Sequence, residues 1–67
     1  MEPYQERVIA EEKELRERVN KLNIFINSED FPKLAKEDQL LLVKQLAYME
    51  AYGSTLCTRI SMFRLGY

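Results

Sequence analysis

The chain has no histidine and one cysteine, Cys57. An intrachain disulfide is therefore excluded. A structural zinc site is excluded too, because its ligand sets draw on several Cys and His side chains. The usual general acid–base is missing, and so is the base that would activate Cys57 as a nucleophile. Di-iron bundles pair Glu-x-x-His motifs on facing helices, and those motifs cannot be assembled here. Glu11, Glu12, Glu37 and Asp38 read as helix-surface or helix-end charges, since such carboxylates are mostly solvated. Cys57 reads as a small core residue on the apolar side of its helix. No cluster spells out a reaction, so the expected protein is not an enzyme and needs no cofactor or metal.

Other shortages narrow the field further. No uninterrupted apolar run approaches the roughly 18 residues of a membrane-spanning helix. Lys and Arg number 10 against 11 Asp and Glu, a formal net charge of −1. That balance lacks the cationic surplus on which non-specific nucleic-acid binding relies. Met1-Glu2-Pro3-Tyr4 offers no positive flank followed by an apolar core, so no secretory signal is expected. With its one free cysteine, the chain is expected in a reducing cytosol, that of a bacterial host on the resemblance described below.

At 67 residues, one domain over 1–67 is the limit. A chain this short buries only about 60% of the surface its unfolded form exposes. Without a disulfide or metal to staple it, a partner subunit is the default.

What is present is helical periodicity. Pro3 suits a first helical position, and no Gly or Pro follows before Ile26. Val8, Leu15, Val19, Leu22 and Ile26 mark one face, with a gap where Glu11 or Glu12 falls. One of those two carboxylates should point partly inward and meet Arg59 or Tyr52. The spacing predicts a first helix over 3–27, a connection with a short helical turn over 28–36, and a second helix over 37–65. Ser28 is a candidate cap for that turn, with Pro32 just inside it. Phe31 and Leu34 are apolar enough to plug the end of the helix pair.

The second helix carries a seam in steps of 4 and 3: Leu42, Leu46, Met49, Gly53, Leu56, Ile60 and Phe63. A second stripe beside it runs through Leu41, Tyr48, Tyr52, Thr55 and Met62. A helix with two apolar stripes packs on two neighbours. The expected fold is all-α: an antiparallel two-helix hairpin that dimerises into a four-helix bundle. Gly53 is expected where two backbones approach across the dimer axis.

The polar residues that stand out are Tyr4, Gln5, Arg7, Tyr48, Tyr52, Thr55 and Arg59. An antiparallel hairpin gathers most of them at one end. Aromatic faces with an Arg fork suit a base and a phosphate. The same groups also suit a buried polar clamp that sets helix register. Tyr48 and Tyr52 read in addition as interface residues.

The series Tyr4-Gln5, Arg7-Val8, Glu11, Leu15, Lys21-Leu22, Phe25-Ile26, Phe31, Leu34, Gln39, Leu41-Leu42, Gln45-Leu46, Met49, Tyr52, Leu56, Arg59-Ile60 and Phe63 resembles short, mostly uncharacterised accessory proteins of tailed bacteriophages and prophages. The resemblance runs over nearly the whole chain and includes polar positions. It implies a protein of the bacterial host cytosol that binds a host macromolecule, for instance to block host defence. It also implies an alternative, a protein that sequesters a nucleotide or cyclic nucleotide, and a third reading as a structural assembly element of the phage.

Overall fold

A computed structural model describes residues 1–66. It is all-helical. Helix α1 spans Pro3–Ile26, a 3-10 turn spans Phe31–Lys33, and helix α2 spans Lys36–Arg64. The two helices fold back on each other as an antiparallel hairpin 47 Å long and 14 Å across.

Local chemistry sets each boundary. At the start of α1 the Glu2 backbone N–H donates to Gln5 Oε1 at 3.0 Å, satisfying a donor the helix cannot. At its end Asn27 Nδ2 donates to the Asn23 carbonyl at 2.8 Å, and Ser28 Oγ donates to the Phe25 carbonyl at 2.6 Å. Ser28 thus closes α1 and does not cap the following turn, as the sequence reading had it. The turn's own N-cap is Asp30, without a side-chain cap bond. Phe31 then meets Phe25 edge-on, with ring centroids 6.3 Å apart, and plugs that end of the hairpin. Gln39 Nε2 ties the connection down by donating to the Leu34 carbonyl at 2.8 Å. At the far end Gly66 has φ +87°, a left-handed conformation that Gly adopts freely and that stops α2.

The seam between the helices is narrow. Val8, Leu15 and Leu56 are the buried core among the described residues, and Leu56 is wholly buried. Val19, Met49, Ile60 and Phe63 pack around them half-buried, and Leu42 and Leu46 are half-buried further along. Tyr4 closes the open end, its ring edge-on to Phe63 at 5.7 Å.

Gly53 faces Leu15 of its own hairpin, with 3.7 Å between an added Cβ and Leu15 Cδ2, so it lies in the seam between α1 and α2. Two expectations need correction. Cys57 is exposed, because its place on α2 falls one residue past Leu56 and beyond the seam. The inward carboxylate is Glu12, whose side chain is 14% exposed, but it pairs with Arg16 on the same helix at 3.4 Å. One helical turn is a shorter reach than the span across the hairpin, so the local partner wins over Arg59 or Tyr52.

Two outcomes follow from this packing. Leu56→Ala lowers unfolding free energy by about 2–5 kcal/mol, read by chemical denaturation, because the cavity opens at the one side chain that is wholly buried among the described residues. Gly53→Ala raises it by about 0.5–1 kcal/mol in the same assay, since the new methyl makes ordinary contact with Leu15 and the helix gains propensity.

Candidate functional site

A hairpin 14 Å across has no interior in which to enclose a ligand. Its concave features are two grooves along the seam. The larger, about 370 Å³, lies at the end where the helix termini meet. Ile9, Ile60 and Phe63 make its apolar floor, and Met1, Gln5 and Arg64 rim it. The volume falls within the range of small-molecule sites, roughly 300–1,000 Å³. The second, about 230 Å³, runs mid-hairpin between Glu12 and Arg16 of α1 and Glu50, Gly53 and Cys57 of α2.

The end groove follows from the local fold. Gln5 is placed there because its side-chain carbonyl is held by the Glu2 N–H. That bond leaves the amide N–H₂ as the end able to donate, at 3.5 Å from the Tyr4 hydroxyl. Ile60 and Phe63 are the last two rungs of the α2 seam, beyond the point where α1 has large apolar residues to cover them. Arg64 sits one turn past Ile60, in the last turn of α2. Neither Arg64 nor Arg59 nor Arg7 joins an ion pair or a side-chain hydrogen bond among the described residues. A guanidinium beside an apolar floor can take an anion in its fork while the floor takes a ring.

The residues singled out by sequence divide between two places. Gln5 lines the end groove, and Tyr4 stands beside it, held against Phe63 without lining it. Arg7 and Arg59 are exposed on the flank of the hairpin. Tyr48 and Tyr52 are exposed along α2, at 65% and 44%, and Lys44 Nζ lies 5.8 Å from the Tyr48 ring centroid. Thr55 is exposed, and its hydroxyl donates to the Ala51 carbonyl at 3.0 Å, which spends its proton on the helix. A buried polar clamp is absent among the described residues: no buried polar or charged side chain exists there. Met1, Ile9 and Arg64 were missed. Ile9 was the legible signal, an apolar residue one step off the α1 seam with no partner in the hairpin pattern.

Such an arrangement defines a small helical binding protein with an open, partly cationic groove at one end. Within that class the chain belongs to the Sequestin family, whose model matches residues 2–62. The family name denotes sequestration without specifying what is held. No curated protein and no solved structure matches the chain. Among the described residues no group of His, Cys, Asp and Glu could hold a metal, and no helix is long and apolar enough to cross a membrane.

Proposed function

We propose that this protein is a non-catalytic sequestering protein whose ligand is a nucleotide or cyclic nucleotide, held at the open end of a hairpin that pairs with a second copy. One observation carries the reading. In a Sequestin family member, the end groove sets an apolar floor of Ile9, Ile60 and Phe63 against the Gln5 amide and the unpaired Arg64 guanidinium. A base is a flat ring that stacks on the floor, and a phosphate is a natural match for the Arg fork. Tyr4 backs the floor from behind, its ring edge-on to Phe63 at 5.7 Å. Tight capture without turnover suits this chemistry: donors and a stacking surface are present, whereas the general acid–base and nucleophile pairs that cleave phosphoesters are not assembled. The pairing of copies covers apolar surface that one thin hairpin leaves exposed and steadies the fold that carries the site. Retention of a signalling nucleotide in a bacterial host cytosol, to blunt a defence response, is the setting in which such a protein works.

A thermal-shift series with cyclic and linear nucleotides tests this. A ligand at about a hundredfold excess over its Kd adds about 2.7 kcal/mol of stability, a shift of several degrees or more for a chain this size. The nucleotide is recovered chemically unchanged by chromatography. Arg64→Ala weakens binding by roughly 10- to 100-fold, the worth of a charge-assisted hydrogen bond, without lowering the melting temperature of the free protein. Absence of any shift at millimolar nucleotide, with one host protein recovered by affinity capture, would transfer the reading to capture of a macromolecule. Recovery of phage assembly proteins alone would transfer it to a structural role.

A further inference from the structure

The outer face of α2 is uncovered along its whole length. Leu40, Leu41, Tyr48 and Leu65 are 62–73% exposed, and Tyr52 and Met62 are 44% and 43% exposed. Between these large side chains runs a row of small exposed ones, Ala47, Ala51, Ser54, Thr58 and Ser61, spaced by three and four residues. From Leu40 to Leu65 α2 carries four charges: Lys44, which lies along its own Tyr48 ring, Arg59, and, where the face meets the grooves, Glu50 and Arg64. The outer face of α1 is the opposite, with Glu6, Arg7, Lys13, Glu14, Glu17, Arg18 and Lys21 all exposed. One side of the hairpin is built for water and the other is not.

The exposed area has a size that means something. A compact monomer of 8.0 kDa is expected to expose about 4,450 Å². This chain exposes 5414 Å². The excess of about 1,000 Å² is close to the roughly 800 Å² that each partner gives up in a standard interface. The radius of gyration of 15.1 Å carries the same message, against about 11 Å for a compact chain of this length.

We infer that the outer face of α2, from Leu40 to Leu65, is the surface on which a second copy of this chain seats, α2 against α2. The patch is self-complementary. Its low row of Ala, Ser and Thr lets two backbones approach, and its flanking Leu, Tyr and Met side chains reach over that row onto the partner. A two-fold relation uses the same patch twice and leaves no uncovered edge, whereas a head-to-tail contact would propagate. The inference rests on the pairing proposed above and adds the face that forms it, which is not the side bearing Gly53. The seat is independent of which ligand the end groove holds.

The test needs no ligand. Light scattering on the whole chain at micromolar concentration gives at least twice the chain mass. Ala51→Glu, on the outer face of α2, drops that mass to a single chain or removes the helical circular dichroism. Ala10→Glu, on the exposed face of α1, leaves both as in the wild type. Because the first variant can act by unfolding, a second measurement keeps the fold intact. In a Cys57→Ser background, Ala51→Cys joins two copies through a short bis-maleimide, and Ala10→Cys does not. A folded wild type of single-chain mass would overturn both the pairing and the face, including the case where that single chain binds anionic vesicles or an acidic protein instead. A multimeric wild type in which Ala51→Glu keeps its mass and Ala51→Cys fails to cross-link would overturn the face alone and leave the pairing standing.

Discussion

The hydrophobic seam between two antiparallel helices is the contact on which everything else depends. It is one residue wide for most of its length. Leu56 sits at its centre, wholly buried between the levels of Val8 and Leu15, and half-buried neighbours extend it toward both ends. Because two cylinders touch along a line, each helix can hide only a stripe. The remaining surface must either be polar or find another partner. α1 takes the first course, whereas the outer surface of α2 stays largely apolar and exposed.

This geometry decides what kind of site the protein can have. A two-layer rod cannot wrap a ligand, so recognition falls to grooves at its edges and end. The groove at the termini arises because α2 continues its apolar rungs, Ile60 and Phe63, to where α1 is only beginning. Ending the overlap there leaves an apolar floor open, and the last turn of α2 brings Arg64 to its rim. Membership of the Sequestin family, whose name denotes sequestration, is consistent with a groove that is open to solvent along its length.

Much of the fold was legible because it is local. Residues at 4- and 3-residue spacing on both helices, Pro3 at the start, Asn27 and Ser28 at the break and Gly66 at the end each act over one turn or less. The helix bounds accordingly differ from expectation by only a residue at α1's end and at both ends of α2. The site was less legible. Tyr4 and Gln5 were visible as polar residues at an apolar end and Ile9 as an apolar residue off the seam, but Arg64 carries no signal of its own. They become a site only when two chain ends meet. Cys57 misled because a small apolar residue next to a seam is indistinguishable from one in it until the rotation of the helix about its axis is known. Gly53 stands in the seam its spacing marked out. A missing side chain reports a close approach but not which neighbour approaches, and within the hairpin that neighbour is Leu15.

Periodicity, capping and the scarcity of Gly and Pro were enough to establish a two-helix hairpin. Those features depend on residues within a turn of one another, so the order of residues contains them. Which stripe of α2 meets α1, which carboxylate turns inward, and where a groove opens depend on contacts between residues some forty to sixty positions apart. Such contacts are settled by how two helices rotate to bury the most apolar surface together, and that balance exists only once both are packed.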